Sequence, residues 1–77
     1  MSETADIALD LSGLNCPLPL LKTKQALNKM RPGQTVSVVA TDPGSERDFQ
    51  VFAEQSGNRL LSKEQQAGSF YYLIQKS

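Results

Sequence analysis

Seventy-seven residues provide one small domain, with eight acidic and eight basic side chains in exact balance. A neutral chain lacks the basic excess that general nucleic-acid binding needs, so no strong direct nucleic-acid contact is expected. The single cysteine and the absence of histidine exclude a disulfide scaffold, a CxxC redox centre and a Cys/His zinc site, so no metal or cofactor is expected either. The start, MSETADIALDL, lacks the charged head and long apolar stretch of a signal peptide. No apolar run approaches the roughly 18 residues of a membrane span. A cytoplasmic location follows as the expectation, and a free thiol stays reduced there.

In chain order, Ile7, Leu9 and Leu11 alternate with Ala8 and Asp10, the period-two pattern of a half-buried strand. Gly13-Leu14-Asn15-Cys16-Pro17-Leu18-Pro19 interrupts it. From Pro19 to Met30 the period becomes helical, with Leu20, Thr23, Leu27 and Met30 on one face, Ala26 beside them, and Lys22, Gln25 and Lys29 turned away. Arg31-Pro32-Gly33 stops this helix. Every charged residue from Cys16 to Gln34 is basic (Lys22, Lys24, Lys29 and Arg31). Such a run is a solvated helix face or a docking face for an acidic partner, with Lys22 and Lys24 the candidates.

Val36, Val38 and Ala40 mark a second strand. A second helix follows, with two competing starts. One has Asp42 as N-cap and Pro43 at the first helical position. The other is a capping box of Ser45 and Asp48. Its buried side is Phe49, Phe52 and Ala53, with Ser56 alongside, and Gly57 closes it in a left-handed cap. Arg59–Lys63 and Phe70–Gln75 read as a hairpin turning at Ala67-Gly68.

The order β-α-β-α-β-β predicts an α/β (α+β) two-layer sandwich, a four-stranded mixed sheet with both helices on one face. Ala8, Val39 and part of the last hairpin would then show on the opposite face, a possible partner surface.

Cys16 is the one side chain here suited to covalent chemistry at neutral pH without a metal. It lies at a strand-to-helix junction rather than within an apolar face. A helix N-terminus carries about half a positive charge, which lowers the pKa of a nearby thiol and favours a persulfide anion. Pro17 and Pro19 stiffen the loop, and neither has an N–H to offer the sulfur, which leaves Leu18 N–H and the dipole. Pro17 disfavours the α region at Cys16 and suits it to an N-cap. Pro19 does the same to Leu18, so a helix start at Pro19, with Cys16 ahead of the first turn, competes with Cys16 as the N-cap. A thioredoxin-type oxidoreductase needs a second thiol, and a cysteine hydrolase needs a general base, usually His. A sulfur carrier needs neither.

Leu9-Asp10 followed by Gly13-Leu14-Asn15-Cys16-Pro17-Leu18-Pro19 resembles the Cys-Pro-x-Pro signature of the TusA/SirA-like sulfur-carrier family. Leu27, Pro32-Gly33, Asp42-Pro43, Asp48 and Gly57 fall where that family places similar residues, so the resemblance runs along essentially the whole chain. It implies a two-layer sandwich with the signature cysteine at the start of the first helix. It also implies sulfurtransferase activity, in which Cys16 takes persulfide sulfur from a cysteine desulfurase or a rhodanese-like donor and passes it to an acceptor protein. Pro17 and Pro19 match the two signature prolines that shape the loop. In the best-known members the sulfur reaches 2-thiouridine in tRNA, while similar proteins serve molybdoenzyme maturation or dissimilatory sulfur oxidation. Outside this class stand a binding or regulatory module with an inert Cys16, and RNA binding by likeness to the C-terminal domain of a translation initiation factor.

Overall fold

The computed structural model describes residues 5–77, in the order β1 (Ile7–Leu11), α1 (Leu18–Asn28), β2 (Thr35–Ala40), α2 (Ser45–Ser56), β3 (Arg59–Gln66) and β4 (Ser69–Gln75). The sheet order is β1-β2-β4-β3. β1 runs parallel to β2, and β4 pairs antiparallel with both β2 and β3. β2 and β3 are therefore parallel, and the last strand fills the gap that the α2 crossover leaves between them.

The register puts one apolar set on one face. Ile7, Leu9 and Leu11 lie beside Val36, Val38 and Ala40, which face Ile74, Tyr72 and Phe70. These residues, together with Leu27, Met30 and Phe49, make one core cluster, so α1 and α2 cover the same side of the sheet as the sequence predicts. Phe49 is completely buried and stacks on Tyr72 with ring centroids 4.5 Å apart. Thr23 is equally buried, and its hydroxyl donates to the Pro19 carbonyl one turn back at 2.9 Å, which satisfies the polar atom inside the core.

Several boundaries differ from the periodic reading, each for a physical reason. α1 starts one residue earlier, at Leu18, with Pro17 in the N-cap position. It ends at Asn28, where Lys29 and Met30 N–H turn back to the Ala26 and Leu27 carbonyls. Leu20 is half-buried and packs against the core cluster, and Pro19 before it is buried as well. Phe52 is half-buried and Ser56 exposed, because they lie toward the seam with α1 and the helix end. β3 continues past Lys63 to Gln66, since Gln65 and Gln66 go on pairing with Phe70 and Ser69. The Gly57 cap is as expected, with φ of 81° and its N–H on the Ala53 carbonyl.

Neither expected start of α2 forms. Gly44 occupies the N-cap position and no side chain caps the helix. Ser45 N–H bonds the Asp42 carbonyl instead, and Asp48 N–H bonds the Gly44 carbonyl. The side chains of the supposed capping box both go elsewhere: Ser45 to Tyr72 and Asp48 to Cys16.

On the uncovered face Ala8 is exposed, Val39 half-buried and Tyr71 exposed. Leu61 falls at the irregularity between Leu60 and Ser62 in β3.

Candidate functional site

The loop between β1 and α1 is braced at both ends. Ser12 N–H and Oγ both donate to Asp10 Oδ1, at 3.1 and 2.7 Å, which turns the chain sharply after β1 and holds the Asp10 carboxyl below its ordinary range. Gly13 N–H donates to Thr41 Oγ1 at 2.9 Å, tying this loop to the one that leads into α2. Gly13 has φ of 83°, a conformation that a side chain would strain. Leu18 N–H donates to the Asn15 carbonyl at 2.8 Å. The two loops therefore converge at the head of the sheet, and Cys16 projects from the first of them.

Cys16 is an exposed free thiol. It precedes the N-cap residue Pro17, so it stands just ahead of the first turn of α1 and is not itself the cap. The Cys16–Pro17 peptide is cis. Pro17 is exposed, whereas Pro19 is buried in the first turn.

The electrostatics at the sulfur differ from the sequence reading. Leu18 N–H, the donor left over once the two prolines are discounted, is spent on Asn15. Cys16 Sγ donates a hydrogen bond to Asp48 Oδ2 at 3.1 Å. That bond, followed by desolvation and then the charges of Asp48 and Asp42, pushes the thiol above its ordinary pKa. This direction is opposite to the one expected from the helix start: Asp48 is in hydrogen-bonding contact with the sulfur, whereas Cys16 stands ahead of the first turn and Leu18 N–H is turned to Asn15. The charged groups that raise it are both acids, Asp48 and Asp42.

Lys22 and Lys24 are exposed on α1, as the sequence indicates. Lys24 Nζ lies 5.5 Å from the Phe52 ring centroid across the α1–α2 seam. An open groove of about 380 Å³ runs along that seam, lined by Leu20, Lys24, Arg47, Asp48, Val51 and Phe52 among others. Asp48, the partner of the Cys16 sulfur, and Lys24 both line it. Among the described residues no group of acids, histidines and cysteine is arranged to hold a metal. No described helix is long and apolar enough to cross a membrane.

The family model described as Sulfurtransferase TusA matches residues 7–76, which spans every strand and helix and the Cys-Pro-x-Pro segment. The chain belongs to the TusA family. It is 54% identical over 72 residues to the sulfur carrier protein TusA of Allochromatium vinosum, covering 94% of this chain and 95% of that one. It is 36% identical over 76 residues to the sulfur carrier protein TusA of Pseudomonas aeruginosa, covering 99% and 96%. The crystal structure of the SirA-like protein from Desulfitobacterium hafniense superposes with a TM-score of 0.79 at 28% identity, covering 90% of this chain and 95% of that one. The TusA-like architecture accounts for the position of Cys16. The contact with Asp48 carries no local signal: along the chain Asp48 offers only the spacing of a capping box and a position similar to the family's.

Proposed function

We infer that this chain is a persulfide carrier, a sulfurtransferase in which Cys16 takes sulfane sulfur from a cysteine desulfurase or a rhodanese-like donor and hands it to an acceptor protein. The observation that carries the reading is the exposed, solitary thiol on a braced loop at the head of α1. In the forward step Cys16 Sγ attacks the outer sulfur of the donor persulfide. A new S–S bond forms, the donor S–S bond breaks, and its electron pair leaves on the donor's inner sulfur, which regains a proton. The acceptor's thiolate later repeats the exchange on the Cys16 persulfide. No oxidant is consumed, and no histidine or second cysteine is needed.

Pro17 and Pro19 shape the loop in this reading, and Lys22 and Lys24 dock an acidic surface of one partner. Synthesis of 2-thiouridine in tRNA, in the cytoplasm, is the destination proposed first, on the resemblance to the best-known carriers. Incubation with a cysteine desulfurase and cysteine, followed by intact mass under non-reducing conditions, tests the chemistry. A gain of one sulfur atom is expected, lost on adding dithiothreitol and absent in Cys16→Ser. An unchanged mass with a competent desulfurase would instead favour an inert binding module. A persulfide that forms but does not pass to tRNA-thiolation partners would move the destination to sulfur oxidation or molybdoenzyme maturation.

A further inference from the structure

A carrier thiol beside two acids is an unexpected arrangement, since the thiolate is the nucleophile and acids disfavour it. The arrangement is nonetheless firmly built. Asp48 sits in the first turn of α2, its N–H on the Gly44 carbonyl. Its neighbour Phe49 is fully buried against Tyr72, and Ser45, one turn earlier, is bonded to the same Tyr72. The carboxylate is thereby held on a rigid element and meets the Cys16 sulfur at 3.1 Å. Asp42 adds to the local negative charge, and its Oδ2 is buried without a hydrogen-bond partner. Among the described residues the ion pair is Lys63 with Glu46; Lys24 and Arg47 line the same groove as Asp48 but form no ion pair with it. Asp48 also lines the open groove between the helices, where a second protein can reach it.

We propose that Asp48 is a positioning residue that holds the Cys16 sulfur as a hydrogen-bonded thiol in the free protein, and that a cationic side chain of the docked sulfur donor takes over its carboxylate when transfer begins. This rests on the carrier reading above. With Asp48 paired to the incoming cation, the thiol loses its acceptor and the larger of the two charges opposing ionisation, and its proton passes to water. The Cys16 thiolate then forms its bond to the donor's outer sulfur, and the donor's inner sulfur leaves as a thiolate that takes up a proton. The sum is a thiol and a persulfide exchanging one sulfur atom. The restraint makes the free carrier slow toward stray electrophiles and the docked carrier reactive.

The acids that bear on the thiol are Asp48 from α2 and Asp42 from the loop before it, with Lys24 of α1 and Arg47 of α2 lining the groove beside Asp48, so the test removes Asp48 and keeps the other three. Asp48→Asn and, as a second substitution, Asp48→Ser are compared with the wild type in two assays, after thermal melts establish folding. The first is the pH profile of Cys16 alkylation by iodoacetamide. Both variants are expected to shift its midpoint to lower pH and to react roughly three- to tenfold faster at pH 7. The second is sulfur loading from a cysteine desulfurase with cysteine, set against loading by glutathione persulfide. The variants should load about tenfold more slowly from the enzyme, through a raised KM, yet faster from the small persulfide, and Asp48→Glu should recover part of the enzymatic rate. Opposite movements in the two assays are beyond a merely structural residue. Alkylation profiles unchanged from wild type, or enzymatic loading unimpaired in the variants, would overturn the proposal. If the wild type takes no sulfur from the desulfurase, the carrier reading falls, while the alkylation profiles still decide whether Asp48 restrains the thiol.

Discussion

Ser45 Oγ and Tyr72 Oη lie 2.8 Å apart in a buried hydrogen bond that fastens the first residue of α2 to the middle of β4. One turn along the same helix stands Asp48, whose carboxylate meets the Cys16 sulfur. The bond therefore fixes a framework distance, between sheet and helix start, on which the geometry at the sulfur depends.

Tyr72→Phe tests that link. The substitution keeps the ring stacked on Phe49 but leaves the Ser45 hydroxyl, 2% exposed, without its partner. Burying an unsatisfied hydroxyl costs about 1–3 kcal/mol. The urea midpoint should fall with an unchanged slope, the mark of lost stability rather than a changed unfolded state.

Ala67 adopts φ of 53° in the two-residue turn between β3 and β4, followed by Gly68 at 83°. Two successive positive φ values suit a tight hairpin turn that favours Asn-Gly. Ala67→Asn should stabilise the domain by roughly 0.5–1 kcal/mol, because Asn tolerates the left-handed region better than Ala. A thermal melt would show Tm rising by several degrees.

Gly57→Ala should act in the opposite direction. An added Cβ meets nothing closer than Ser77 Oγ at 4.0 Å, so there is no clash, but φ of 81° is strained for any side chain. The expected loss is about 1–2 kcal/mol in chemical denaturation.

Charge reversal at Lys22 and Lys24 separates docking from folding. Lys22→Glu should change stability by under about 0.5 kcal/mol. Lys24→Glu also loses its place over Phe52, worth about 0.5–1 kcal/mol. Both should slow sulfur transfer from the protein donor, and the difference from wild type should shrink as salt is raised. Transfer rates unchanged at low salt would leave the two lysines as solvated surface.

Asp10 supplies a pH-dependent brace. Its folded pKa is depressed by the Ser12 bonds, so its stabilising contribution is present above the unfolded carboxylate value and is lost as pH falls through the folded one. In NMR the Ser12 amide should shift with a midpoint below the usual Asp range. A midpoint at the ordinary value would mean that the brace does not form in solution.

Much of the fold was readable because it is written in local repetition. The alternation of Val36, Val38 and Ala40, the helical spacing of Thr23 and Leu27, and the glycine closing α2 each need only neighbours a few residues away. The boundaries that moved are those where tertiary partners compete with local ones. Ser45 and Asp48 have the spacing of a capping box, yet Tyr72 and Cys16 draw both side chains off the helix end. Local pattern is therefore enough for the element order, the two layers and the lone thiol at the head of α1. The charge that thiol meets is set by packing, because Cys16 and Asp48 are 32 residues apart and become neighbours through the placing of α1 beside α2 on one sheet. That contact is a hydrogen bond of 3.1 Å, and no pattern along the chain encodes a distance between side chains so far apart in sequence.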